Sequence, residues 1–205
     1  MRFRDFESKV QNLRFFNLND IRKLDPSFHR RQLVDWQQRG YIKPLVGGMY
    51  LLANCEVDEG LLFMAANQVY QPSYVSLESA LAYHQVIPES VLGVTSISSR
   101  KTRQFESNWG QFTYRSLKPA YFFGYKVVTV TPNQKFLIAS LEKAVLDFLY
   151  LKPHTHNVED FDGLRWNKNV LSNLKANDEF PRYLQLFDKQ ALENRVNALM
   201  RYLDA

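Results

Sequence analysis

Apolar residues along this chain follow a helical period first, then an alternating one, then a helical one again. From Asp5 to Leu13, Phe6, Val10 and Leu13 recur at steps of four and three, which predicts a first helix. Phe15 and Phe16 fall in the connection that follows. Asn17 to Asp20 offer two good caps, and Ile21 and Leu24 give the next short helix, about 18 to 24, its inner face. Asp25-Pro26 predicts a turn. SFHRRQLVDWQQR (27 to 39) then reads as a third helix, with Ser27 as its hydroxyl cap. Gly40 stands where a helix ends in a left-handed residue. YIKPLVGGMYLL (41 to 52) reads as a two-stranded ribbon turning at Gly47-Gly48.

Successive residues of a helix are about 100° apart. On the third helix this brings His29, Leu33 and Trp36 to one side, where the apolar pair packs inward. Arg30, Arg31, Val34 and Gln38 lie on the other, with Asp35 at its edge. Arginines and amides facing outward match base edges and phosphates in a DNA groove, although the same face also fits an ordinary solvated helix. Three short helices and a basic hairpin in about 50 residues have the form of a winged helix-turn-helix.

After a linker at Ala53 to Glu56, Asp58 to Val69 and Ser76 to His84 read as helices, the first with an apolar face of Leu61, Leu62, Ala65, Ala66 and Val69. The period then changes. VTSISS, QFTYRSL and YFFGYKVVTVT are rich in β-branched and aromatic residues and predict three or more strands. Ser140 to Leu151 returns to helical period, with Leu141, Ala144, Val145, Phe148 and Leu149 inward, as a central helix on that sheet. Lys152 to Lys168 reads as a loop. Two further helices follow, the last marked by Leu192, Val196, Leu199 and Leu203. The expected fold is α+β, with a winged helix-turn-helix over 1–53 and a mixed α/β domain over 54–205.

Composition sharpens this picture. At 205 residues and 45% hydrophobic, the chain can bury one good core or two modest ones. No run approaches a membrane span, and MRFRDFESKV lacks the apolar core of a signal peptide. A single cysteine, Cys55, excludes an internal disulfide framework and fits a reducing cytoplasm. The net charge of +5 is unevenly placed: residues 1–50 hold ten basic and five acidic side chains, leaving sixteen of each in the remainder. A basic module joined to a neutral domain is the electrostatic footprint of nucleic-acid binding.

Taken in order, the segments RRQLVDWQQRGYIKPLVGGMYLL (30–52), YVSLESALAYHQVIPE (74–89), VTSISSRKTRQFESNWGQFTYRSL (94–117) and FGYKVVTVTPNQKFLIASLEKAVLDFLYL (123–151) resemble the AbiEi family, the antitoxins of type IV toxin–antitoxin systems. The last of these carries the family's EKA-x-LD helix. The final 50 or so residues match only in being helical. The resemblance implies a winged N-terminal domain that binds inverted repeats in its own promoter and represses it. It also implies a C-terminal domain that opposes a nucleotidyltransferase-like toxin without a stable complex. On that basis Arg30, Arg31 and Gln38 meet the major groove, while Arg22, Lys23, Lys43 and the helix start at Ser27 neutralise phosphates. Arg100, Lys101 and Arg103 are a second phosphate-contact candidate, set against a solvated strand end. One departure is Gly47, where a basic wing-tip residue is expected; it weakens a minor-groove contact by the wing and leaves Lys43 as the wing's only cation.

Chemical motifs are sparse. The sequence contains no Gly-rich phosphate loop, HExxH, GxSxG or CxxC. His154, His156, Glu159, Asp160 and Asp162, with Gly163, have the ingredients of a metal site but no recognised ligand spacing, so an exposed loop is expected. Glu142, Lys143 and Asp147 suggest the carboxylate-lysine set of a metal-dependent nuclease. Adjacent Glu142 and Lys143, however, point about 100° apart on a helix and cannot share one metal. His84 reads as a packing or capping residue. The expectation is therefore a non-enzymatic DNA-binding autorepressor and antitoxin with no cofactor or metal, and the alternative is a nuclease-like enzyme delivered to DNA by its N-terminal domain.

Overall fold

The computed structural model describes residues 1–11, 13–88, 92–131 and 134–205. Asn12 in the predicted first helix, and Glu89, Pro132 and Asn133 in the quoted family-like segments, lie outside them.

The N-terminal part runs α1 (Phe3–Val10), β1 (Phe16–Asn17), α2 (Leu18–Leu24), α3 (Arg30–Gln38), β2 (Ile42–Pro44) and β3 (Met49–Leu52). The three strands form an antiparallel sheet in the order β1-β3-β2. Asn17 caps α2 by accepting from the N–H groups of Asn19 and Asp20, while the Asp20 carboxylate accepts from the Asn17 N–H. Helix α3 stops in a Schellman arrangement: Tyr41 N–H donates to the Trp36 carbonyl and Gly40 N–H to that of Gln37, with Gly40 at φ +70°.

The small core is aromatic. Phe6 stacks on Trp36 at 5.0 Å and meets Phe16 edge-on at 4.8 Å. Phe28, Leu33, Ile21, Val10 and Ile42 complete the cluster. Each such side chain stabilises the fold by about 1.5–3 kcal/mol. Three details differ from the sequence expectation. Helix α3 begins at Arg30, not Ser27, because Ser27 turns its hydroxyl back to Asp25 and Phe28 drops into the core. Leu24 and Leu13 remain exposed, since α1 ends at Val10 and α2 buries Ile21 alone. The predicted connection at Phe16 is strand β1.

The larger part is built on a six-stranded mixed sheet. Its elements are α4 (Glu59–Val69), β4 (Ser73–Val75), α5 (Leu77–Tyr83), β5 (Gly93–Ser98), β6 (Arg103–Ser107), β7 (Gly110–Ser116), β8 (Tyr125–Thr131), β9 (Gln134–Ala139), α6 (Leu141–Leu151), α7 (Val158–Asp162), α8 (Lys168–Leu171), α9 (Glu179–Phe187) and α10 (Gln190–Asp204). Strand order is β6-β7-β5-β4-β9-β8, with β5/β7 and β4/β9 parallel. Successive side chains of a strand face opposite sides, and here they separate two helical layers. Tyr114 reaches the Ala66 carbonyl of α4 on one face, and Tyr74, in the alternate set, reaches Asp147 of α6 on the other.

Two sequence readings are corrected here. The segment 152–168, read as a loop, contains α7, whose Phe161 is fully buried beside Trp166. YFFG is not strand: a 3-10 turn at Pro119–Tyr121 precedes β8, which starts at Tyr125.

The β2–β3 hairpin serves both parts. Ile42 and Leu52 belong to the small core, whereas Leu45, Val46, Met49 and Leu51 pack into the large one. Gly47 and Gly48 form its tight turn at φ +59° and +82°, closed by Met49 N–H to the Val46 carbonyl. A Cβ at Gly47 would lie 2.8 Å from Val69 Cγ1 of α4, so the tip admits nothing larger. Arg14 adds an ion pair to Asp58 at the start of α4.

Candidate nucleic-acid interface

The side chains singled out on α3 share its outer face. Arg30, Arg31 and Gln38 are exposed, and Val34 between them is 50% exposed. Leu33 and Trp36 anchor the opposite face, so the packing that buries the apolar pair also turns the arginines outward. Among the described residues, neither arginine has an ion-pair partner, which leaves their donors open to an external anion.

The turn leading into α3 is held by Asp25. Its Oδ1 accepts from both the N–H and the hydroxyl of Ser27, at 3.0 and 2.6 Å, and its Oδ2 accepts from the Met1 ammonium at 2.8 Å. The Met1 ammonium above all, then Ser27, holds the Asp25 carboxyl down at about 2. Ser27 therefore shapes the approach to α3 without capping it. Gln32 substitutes in part, since its side-chain oxygen accepts from the His29 N–H.

Arg22 and Lys23 are exposed on the last turn of α2, and Lys23 shares its charge with Asp20 at 3.3 Å. Lys43 is placed differently. The hairpin is docked, and the Lys43 ammonium lies 5.9 Å above the Trp109 ring, between β6 and β7. Arg100 and Arg103 are also engaged. Arg100 stacks over Tyr70 at 4.4 Å and donates to the Gln71 carbonyl, and Arg103 lies 4.9 Å over Phe105. Of that triplet, Lys101 alone forms no such side-chain contact among the described residues.

One feature beside α3 escaped the sequence reading. Arg2, Arg4 and Arg39 line an open cleft of about 570 Å³ together with Glu7, Gln32 and Asp35 and the aromatic rings of Phe3, Trp36 and Tyr41. Arg39 falls at the edge of the outward face on a helical wheel. The two N-terminal arginines reach it through the packing of α1, which a wheel does not show.

The nuclease-like set resolves into internal structure. Lys143 and Asp147 are an ion pair one turn apart, both with no exposed side-chain surface. Tyr74 and Ser76 donate to the Asp147 carboxylate at 2.9 and 2.8 Å, and the Lys143 ammonium lies about 5 Å above the Phe123 and Phe187 rings. Burial pushes the Asp147 carboxyl up and the Lys143 ammonium down, while their mutual attraction opposes both shifts. Glu142 points elsewhere, as its position next to Lys143 requires, and accepts from Asn177. Among the described residues, no group of three His, Cys, Asp or Glu side chains is placed to hold a metal. Asp160 instead accepts from the His156 and Asn157 N–H groups and caps α7. His84 packs, its Nε2 at 2.9 Å from the Ala139 carbonyl, and burial lowers its pKa.

No helix among the described residues is long and apolar enough to cross a membrane. No protein-family model matches the chain, and no curated protein is significantly similar to it.

Proposed function

We propose that this chain is a DNA-binding transcriptional autorepressor and the antitoxin of a type IV toxin–antitoxin system, acting in the cytoplasm. The observation that carries the DNA reading is the outer face of α3. Arg30, Arg31, Val34 and Gln38 stand exposed on a helix anchored by Leu33 and Trp36, one pinned turn after α2. The order α1-β1-α2-α3-β2-β3, with β3 between β1 and β2, supports reading this part as a winged helix-turn-helix, α3 being the groove helix. The charge excess confined to residues 1–50 supports it independently. In this reading α3 lies in the major groove, Arg30 and Arg31 contact base edges or phosphates, and Arg22 holds the backbone alongside. The antitoxin role rests on the resemblance of the segments between 30 and 151 to AbiEi proteins. Those proteins counter a nucleotidyltransferase-like toxin encoded nearby.

The test is a mobility shift on the DNA upstream of the protein's own reading frame, with chelator present, comparing wild type with Arg30→Ala/Arg31→Ala. Specific binding that weakens with salt and is lost in the double variant is expected. Binding indifferent to both arginines removes α3 from the function. Cleavage of the DNA on adding magnesium favours the nuclease alternative. Rescue of cells expressing the neighbouring toxin is the separate test of antitoxicity.

A further inference from the structure

The two edges of the six-stranded sheet are built to opposite rules. Strand β6 ends it on one side with RQFES, where Arg103 and Glu106 place charge along the edge. Strand β8 ends it on the other with YKVVTVT, seven residues with one charge, no proline and no glycine. All its side chains but the half-buried Val128 are exposed: Val127 is 58% exposed, Val130 55% and Tyr125, which stacks on Tyr74, 38%. An outer strand offers every second N–H and C=O to whatever lies alongside, and proteins guard such edges with charge, proline, a bulge or a cover. Strand β6 carries a charge near each end, Arg103 and Glu106. Among the described residues, strand β8 has one lysine, Lys126, and a register shift between Thr129 and Thr131, which leaves Val127 to Thr129 regular and uncharged.

We propose that β8 is an interface for a second copy of this chain, the two β8 strands pairing antiparallel about a two-fold axis near Val128. The strand suits its own copy. Such an axis sets Val127 opposite Thr129 within the regular stretch, a β-branched cross-strand pair on each side of the axis, and brings Lys126 toward Val130 at the register shift. The two Lys126 positions then lie four residues apart, about 13 Å along the strand and beyond the Debye length at physiological salt, so no like charges meet. The pairing also closes. Joining the β8 edges makes one continuous sheet whose free ends are both β6, and their charges stop further growth. The inference does not depend on DNA binding, and its test contains no DNA.

Sedimentation equilibrium of the full chain over a wide concentration range measures it, with wild type beside Val127→Lys and Val130→Lys. Both positions are more than half exposed, so thermal unfolding followed by circular dichroism is expected to match wild type. Wild type is expected to rise from 24.1 kDa toward twice that mass with concentration, and each lysine variant to stay at the monomer mass. Val128→Cys in a Cys55→Ser background is expected to form a disulfide-linked dimer on mild oxidation, because residues facing each other on the axis fall within bridging distance. A wild type that stays monomeric throughout, a dimer that survives both lysines, or a Val128→Cys variant that does not cross-link would each overturn the proposal.

Discussion

Lys143 and Asp147 sit one turn apart on α6 with neither side chain reaching solvent, in a helix whose other buried positions are mainly apolar. Bringing both charges inside costs desolvation, and what offsets it is the completeness of their surroundings: each other, two hydroxyls on Asp147 and aromatic faces under the ammonium. Removing one partner breaks that balance. Lys143→Met is expected to cost about 3–5 kcal/mol in urea unfolding at neutral pH, because it leaves a buried carboxylate without its cation. Lys143→Met/Asp147→Leu is expected to cost less than Lys143→Met alone. It still leaves the Tyr74 and Ser76 hydroxyls short of an acceptor, at about 1 kcal/mol each. A single variant as stable as the exposed control Lys126→Met would show the pair to be dispensable. The sequence reading grouped this pair with Glu142 as a nuclease-like set, and its i and i+4 spacing, usually that of a solvated surface pair, does not announce burial. Its burial depends on β4 and α9, which no local pattern brings alongside.

Among the elements, the long periodic helices were legible and the short strands were not. Helices α3, α4, α5 and α6 stand where the sequence placed helices, and the outward set Arg30, Arg31 and Gln38 followed from angle alone. Phe63 of α4 and Lys143, Leu146 and Asp147 of α6, however, are buried outside the faces their spacing predicted. Strands β1 and β4 span two and three residues, too short for alternation to register. Helix α7 was hidden by a polar surround, although Asn157 and Asp160 spell a capping box that marked its start. The hairpin was read correctly as a ribbon with a Gly47-Gly48 turn, but its docking was not, because that depends on Val69 of another element. The two glycines separate those effects. Gly48→Ala meets nothing within 4 Å and is expected to cost the left-handed strain alone, about 1–2 kcal/mol. Gly47→Ala carries the same strain and also drives its methyl against Val69, so it is expected to be the more destabilising in thermal melts. Val69→Ala in the Gly47→Ala background is expected to narrow the gap. Equal costs for the two glycine variants would argue against a docked tip.

On the scale of the whole molecule, the docked hairpin decides which cations would be available to DNA in the proposed reading. A body of about 50 residues has a marginal core by itself, and this one lends Leu45, Val46, Met49 and Leu51 to its larger neighbour. Lys43 is thereby drawn over Trp109, while Arg22 on α2 stays exposed without an ion-pair partner among the described residues. From sequence the two looked equivalent, since both are basic residues flanking the same helix. Salt dependence tells them apart. Each phosphate neutralised on duplex DNA contributes about 0.9 to the slope of log affinity against log salt. If the N-terminal part reads DNA as proposed, Arg22→Ala is expected to lower that slope by about 1 and weaken binding to all sequences alike. Lys43→Ala is expected to leave the slope nearly unchanged, because its ammonium is committed to the second body. Fluorescence anisotropy on one operator fragment at several salt concentrations measures both. A Lys43→Ala effect equal to that of Arg22→Ala would place the hairpin on the DNA and require Lys43 to leave Trp109.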